Sequence, residues 1–252
     1  MTLIRGLYTA ASGMMVESAR QETITNNLAN SETTGFKRDL ALQRAQTELP
    51  VLRVGDNNRL PLQPVIGTLG TGSLVDGIHT VHEQGVVRET GGKLDLALSG
   101  PGFFTVETAQ GLRFTRNGAF TLDADGFLRT DAGHRVMGIE GYLQIPAGEL
   151  TVDNDGGLFV DGAPVGRLRL AGFAEAELLS KQGEAMFDAG GQAELAVAAQ
   201  VKQGFLESGN VQVIQEMVRM IATQRAYETN QRALQAQDEL LGKAVNEIGS
   251  LR

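Results

Sequence analysis

From Asn210 to Ile248 the chain contains no proline, and its first glycine in that run is Gly242. At a rise of ~1.5 Å per residue, a helix of that extent is close to 60 Å long, more than most compact domains house. Val213, Met220, Tyr227, Leu234, Leu241 and Ile248 recur every seven residues, with Ala222, Ala226, Ala233, Ala236 and Ala244 between them. One large apolar residue per heptad among alanines makes a narrow seam suited to close helix contact. The remaining surface, including Gln224, Arg225, Gln231, Arg232, Asp238 and Glu239, has to face water or neighbouring chains. A chain that ends this way needs a helical partner.

One candidate partner stands at the other end. From Leu3 to Leu28, apolar residues at Leu3, Ile4, Leu7, Ala11, Met14, Met15, Ile24 and Leu28 fall mostly three and four apart. Glu17, Arg20 and Glu22 form the opposite polar face, which is the pattern of an amphipathic helix. Gly13 weakens that helix by about 1 kcal/mol relative to alanine. Neither terminal helix has a neighbour in sequence, so the two are expected to pair as a coiled-coil-like stem. Much of their surface stays uncovered in such a pair, which points toward polymerisation.

Between them, from about Thr71 to Lys202, the pattern turns to alternating apolar and polar residues, as in LDLALSG, FFTVET and LRFTRNGAFTLDADGFLRTDAG. Asn117-Gly118 and Asp125-Gly126 are short hairpin signals. Short strands with such turns imply an antiparallel sandwich or barrel-like unit. The segment from Leu40 to Gly70 carries Pro50, Pro61 and Pro64 with RVGDNNR between, and little regular structure is expected there. The fold class is α+β: residues 1–37 a helix and motif, 38–72 an extended arm, 73–204 a β domain, 205–252 the long helix.

Composition narrows the function. A net charge of -8 on 252 residues is a poor match for phosphate backbones, so nucleic acid is not expected as a partner. With no cysteine, structural disulfides and thiol catalysis both drop out. No window reaches the ~18 apolar residues of a membrane span, so no membrane insertion is expected. The LYTAASGMMVE stretch is amphipathic rather than a continuous apolar leader, and no cleaved secretory signal is expected.

Candidate chemistry is thin. His79 and His82 form H-x-x-H, but a strand would put residues three apart on opposite faces. Asp123, Asp125 and Gly126, and likewise Asp153, Asp155 and Gly156, place glycine at the wrong position for a calcium loop and read as turns. GTLGTG, residues 67–72, has the wrong order for a dinucleotide fingerprint. Neither a G-x-S-x-G elbow nor a phosphate-binding loop is present. The reading assigns no catalytic, cofactor-binding or metal-ligating residue, and no enzyme activity.

The most unusual stretch is NNLANSETTGFK, Asn26 to Lys37. LYTAASGMM followed by ITNNLANSETTGFKR resembles the N-terminal signature of bacterial flagellar axial proteins. Its core falls here on Ala29, Asn30, Thr33, Thr34, Gly35, Phe36 and Lys37. SGNVQVIQEMVRMIATQRAYETNQRALQAQDELL resembles the closing helix of the same family, notably at Gln224, Arg225, Ala226, Tyr227 and Glu228. GTGSLVDGIHTVHEQGVVRETGGKLDLALSGPGFFTVE and FTRNGAFTLDADGFLRTDAGHRVMG look like the β domain shared by the rod and hook proteins.

The resemblance implies a non-enzymatic subunit of the flagellar basal-body rod, the periplasmic driveshaft that transmits torque to the hook. It implies export through the flagellar type III apparatus without a cleaved signal, and contacts with other copies, neighbouring rod and hook subunits, and surrounding ring proteins. DLALSGPGFFTVE is similar to the distal rod type, GELTVDNDGGLFVDGAPVGRLRL to the proximal type, and the proximal type is favoured. The competing readings are a secreted β-domain binding module or adhesin on a helical stalk, and a cell-wall hydrolase. Within the motif, Asn and Thr side chains are expected to close the helix, Gly35 to take a positive φ, Phe36 to dock and Lys37 to stay in water. Gly35→Val should then spare the β domain and block assembly.

Overall fold

The computed structural model describes residues 2–52, 65–183, 185–197 and 199–249, with side chains taken from residue 5 to residue 246. Leu3, Ile4 and Ile248 as side chains, and RVGDNNR with Pro61 and Pro64, fall outside the described residues. The described architecture is α+β, with α1 (Thr2–Ala29), α2 (Val213–Gly249) and antiparallel strands between. The chain forms two compact units: Met1–Asn26 with Asp39–His79 and Ile214–Arg252, and Asn27–Arg38 with Thr80–Val213.

In the first unit α1 and α2 run antiparallel. A Cβ on Gly6 would stand 3.0 Å from the Gln237 amide, and one on Gly13 would stand 2.9 Å from Asn230. Two glycines seven apart thus receive two amides seven apart. The helix penalty at Gly13 is set against a close approach here, in which an alanine Cβ would press the Asn230 amide aside. The shielded positions of α2 include a stripe of Glu216, Met220, Thr223, Tyr227, Asn230, Leu234, Gln237, Leu241 and Ala244, alternating steps of four and three, with Ala226 half-buried beside it and Val213 exposed. Every second member of this stripe is polar or small. A search for large apolar residues finds only the alternate ones.

The segment expected to lack regular structure contains strands. Asp39–Ala45 pairs with Ser73–Thr80, and Glu48–Leu52 pairs antiparallel with Val65–Gly70, setting Leu49 opposite Leu69. These two-stranded ribbons leave large apolar side chains in water: Val65, Ile66, Leu69 and Ile78 are all more than half exposed. The alternation that betrays a half-buried strand was therefore absent. Pro50 sits in a ribbon strand, where an edge tolerates a missing donor.

The second unit is built on a sheet of nine described strands. Its main path runs Ser180–Gln182, Met186–Asp188, Gly111–Thr115, Phe103–Thr108, Arg135–Gly138, Leu128–Thr130 and Phe120–Leu122. Leu96, Leu98, Phe104, Val106, Leu158, Leu168 and Val201 form the larger core, with Phe104 and Phe120 edge to face at 5.1 Å. A second cluster gathers Phe103, Phe114, Ala171, Leu179 and Phe187. Short pairs flank the sheet, Gln200–Gln203 with Leu96–Ser99 and Phe205–Glu207 with Val87–Glu89.

One hairpin expectation fails and one holds. Asn117-Gly118 does not join paired strands: Gly111–Thr115 pairs with Phe103–Thr108 and Met186–Asp188, and Phe120–Leu122 with Leu128–Thr130. Gly118 is needed for another reason, since a Cβ there would stand 1.6 Å from the Leu96 carbonyl oxygen, while Leu96 N donates to Gly118 O at 3.0 Å. The second signal does close a hairpin, Leu122 opposite Leu128. Asp123 Oδ1 accepts from Asp125 N and Phe127 N, and Asp153 Oδ1 accepts from Asp155 N and Gly157 N. Both acidic stretches are turns, with one oxygen of Asp123 and one of Asp153 each accepting two backbone N–H groups.

Candidate functional site

After α1 ends at Ala29, the TTGFK segment turns within the β unit. Thr33 N donates to Asn30 O at 3.1 Å and Phe36 N to Thr33 O at 3.3 Å, two successive turns made by backbone atoms, with Thr33 Oγ1 donating to Asn30 Oδ1 at 3.3 Å. Gly35 has φ 68°, a value that favours glycine. Space is as restrictive as conformation, because a Cβ on Gly35 would stand 2.4 Å from both Arg116 C and Asn117 N. Gly35 N donates to Glu207 O at 2.7 Å, and Asn210 N returns a bond to Phe36 O at 3.2 Å. Segment 35–38 is thereby stitched to segment 207–210.

Asn210 extends the stitching. Its Oδ1 accepts from Arg38 N at 2.7 Å, and its Nδ2 donates to Val81 O at 2.8 Å and Glu83 O at 3.1 Å. One amide thus holds three stretches of chain far apart in sequence. Phe36 is buried, and Lys181 Nζ lies 3.6 Å from its ring centroid while donating to Lys37 O at 2.7 Å. This cation over an aromatic face covers the docked ring from outside.

Lys37 does not stay in water. Its side chain is 1 % exposed, and its Nζ donates to Glu207 Oε1 at 2.6 Å and Glu83 O at 2.6 Å. Glu207 is fully buried; Oε1 also accepts from Gly85 N at 2.9 Å, and Oε2 accepts from Arg116 Nη1 at 3.2 Å. Arg116 Nη2 donates to Gly100 O at 2.8 Å. Burial lowers the pKa of Lys37 from its ordinary value, and the Glu207 carboxylate only partly restores it. Burial likewise lowers that of Arg116 against the pull of Glu207. Two buried cations share one buried carboxylate, an arrangement whose removal is costly because every partner is already desolvated.

Such a triad has no free oxygen for acid-base work, so its capability is to fasten. Sequence reasoning placed Gly35 and Phe36 correctly and missed Glu207, Arg116 and Lys181. The missed partners are 79 to 170 residues away in sequence from Lys37, counting 116 − 37 and 207 − 37. The available signal was chemical: a lysine next to a glycine and an aromatic that both dock is carried inward, and then needs an acid.

On the first unit, the residues of the C-terminal motif lie mostly outward. Gln224, Arg225 and Glu228 are exposed, with Ala226 and Tyr227 half-buried. Opposite the shielded stripe of α2 stand Ile214, Met217, Val218 and Ile221, between 52 % and 79 % exposed. Their spacing of three, one and three makes a continuous apolar ridge on a helix. A cleft of about 450 Å³ also opens on this unit, lined by Ile24, Leu40, Leu42 and Ala222 among others.

His79 lies in the strand Ser73–Thr80, and His82 packs edge-on against Phe187 at 5.0 Å. Among the described residues no group of three potential metal ligands gathers. No described helix is long and apolar enough to cross a membrane.

Set beside known proteins, three parts of the chain match family profiles. Residues 7–37 match "Flagella basal body rod protein", 97–160 match "Flagellar hook protein FlgE/F/G D1 domain", and 202–247 match "Flagellar basal body rod FlgEFG protein C-terminal". The flagellar basal-body rod protein FlgG of Borreliella burgdorferi is 32 % identical over 97 % of this chain and 98 % of its own. FlgG of Agrobacterium fabrum is 33 % identical over 94 % and 97 %, and FlgF of Caulobacter vibrioides 32 % over 97 % and 98 %. The chain belongs to the flagellar basal-body rod protein family. Lys37, Arg116 and Glu207 fall one in each of the three matched segments.

Proposed function

We propose that this chain is a structural subunit of the flagellar rod that polymerises through its terminal helices, α1 and α2 pairing as a coiled-coil-like stem. The observation that carries this is the two-sided character of α2. One side is shielded with steps of four and three, and the other presents Ile214, Met217, Val218 and Ile221 to water. A lone soluble chain gains nothing from such a ridge; a subunit surrounded by others buries it.

In this reading the division is residues 1–37, 38–72, 73–204 and 205–252, the helix seam runs through Met220, Tyr227, Leu234 and Leu241 with the exposed Val213 outside it, and the partners are other copies and neighbouring rod and hook subunits. The motif Ala29, Asn30, Thr33 to Lys37 acts through the triad, which locks the entry and exit of the β unit to its interior. The exposed motif residues Gln224, Arg225 and Glu228 are free to meet a neighbour. Export through the flagellar apparatus without a cleaved signal, a periplasmic position and a non-enzymatic role complete the reading. The FlgF type, with the proximal position, is favoured by alignment length: 251 columns for the Caulobacter FlgF against 268 and 260 for the two FlgG proteins. The shorter alignment needs fewer gaps against 252 residues.

The test is deletion of the gene followed by complementation. Basal bodies should arrest at the rod stage and later hook subunits should fail to assemble, with the full chain restoring motility. Complete hooks in the deletion strain would sink the proposal.

A further inference from the structure

The β unit contains a cavity beside the buried joint, with Arg116 in its wall. It has a volume of about 280 Å³, and its walls include Phe103, Phe173, Leu195 and Val197, with His82 and Arg116 as polar members. It lies just below the ~300–1,000 Å³ of typical ligand sites and has their character, apolar walls with few polar groups. Gly172 keeps one wall drawn in to the backbone, since a Cβ there would stand 2.3 Å from Val197.

The polar end is unbalanced. Arg116 is 5 % exposed, its Nη1 and Nη2 are taken by Glu207 and Gly100, and its Nε finds no acceptor among the described residues. Among the described residues Glu207 is the carboxylate that pairs with Arg116, and Lys37 draws on the same carboxylate. A buried guanidinium with half a counter-ion, a spare donor and an apolar chamber beside it defines the chemistry of what would fit.

We propose that this cavity binds an apolar monocarboxylate, its carboxylate meeting the Arg116 guanidinium and its hydrocarbon body lying between Phe103, Phe173 and Leu195. The Arg116 guanidinium already rests over the Phe103 ring at 5.3 Å, so one aromatic side chain serves both cation and ligand. The volume admits one branched aliphatic or single aromatic group, and excludes long acyl chains.

The experiment is a titration of the 15N-labelled full-length protein, following the Arg116 Nε–H resonance. The probes are 4-methylpentanoate and 3-phenylpropanoate, their neutral amides, and N-acetylleucine as the mimic of a protein chain end. The acids should give a saturable shift, with the amides weaker by about tenfold, equivalent to ~1.4 kcal/mol. N-acetylleucine binding as tightly as the free acids assigns the site to a chain end, and its failure beside binding by the free acids assigns it to a small metabolite-like acid. Leu195, half-exposed in the cavity wall, supplies a charge comparison. Leu195→Glu and Leu195→Lys lose the same apolar contact, and the acids should bind Leu195→Glu about tenfold more weakly than Leu195→Lys through like-charge repulsion, while the neutral amides should not tell the two apart. Equal binding of acid and amide, a shift that does not saturate, or equal binding of the acids to the two Leu195 variants would overturn the proposal.

Discussion

Two regions of this molecule invert the usual placement of side chains, in opposite senses. At the joint of the β unit, Lys37, Arg116 and Glu207 are buried. On α2, Ile214, Met217, Val218 and Ile221 are exposed. The buried charges are held by one another inside the chain, Glu207 serving both cations, and Arg116 Nε alone among their donors finds no acceptor among the described residues. The exposed apolar ridge satisfies nothing and is complete only when something covers it. A region whose charges are paired inside the chain folds without a partner subunit, and a region with an uncovered apolar face is finished by assembly. That contrast predicts that joint variants act on folding, whereas ridge variants act on polymerisation.

The largest effect should come from Glu207→Ala. It leaves Lys37 and Arg116 buried without a carboxylate, and breaking one buried pair already costs about 3–5 kcal/mol. Chemical denaturation of the β unit should show a loss at or above the top of that range. A loss below about 1 kcal/mol would mean that water enters the triad and that the joint is not held by charges paired inside the chain. Gly35→Val comes next, through clash with the Arg116–Asn117 backbone and a disfavoured φ, at about 3 kcal/mol. The expectation that it spares the β domain is corrected here, because Gly35 packs inside that unit.

Lys37→Met should cost less, about 2 kcal/mol, because Glu207 keeps Arg116 and Gly85 N as partners. It also carries a pH signature. Burial sets the folded-state pKa of Lys37 below its unfolded value, so between the two the unfolded chain binds more protons and stability rises with pH. Below both values the lysine is charged in each state and contributes no slope. Denaturation followed from neutrality to pH 10 should show the rise in the parent chain and its loss in Lys37→Met. An identical slope in both would assign it to another group.

How much of this was legible in the sequence follows the same contrast. The helices were readable because seven-residue spacing is local, and so was the turn at Gly35, which depends on neighbours within a few residues. The ribbon strands Asp39–Ala45, Glu48–Leu52 and Val65–Gly70 were not, since their large apolar residues stand largely in water and give little core-facing alternation. Glu216, Thr223, Asn230 and Gln237 escaped notice because a helix contact built on glycines and amides has no hydrophobic signature. The triad escaped for a third reason: its members obey no spacing, and only the folded sheet brings Arg116 beside Glu207. Asn117-Gly118 misled because the glycine answers a distant carbonyl, Leu96 O, and not the strands on either side.

The smallest effect on stability, and the sharpest on assembly, belongs to Ile214→Asp combined with Val218→Asp. Both side chains are more than 60 % exposed, so each substitution should change unfolding free energy by no more than about 0.5 kcal/mol. Val218 and Ile214 are one turn apart on the same ridge, and two carboxylates there would have to be desolvated by any neighbour that covers it. Complementation with the double variant should give normal protein levels, an unchanged denaturation midpoint and no motility. Motility retained would show that the ridge stays in water in the working assembly, and the division between a self-sufficient joint and an assembly-dependent helix would then have to be redrawn around the opposite, shielded stripe of α2.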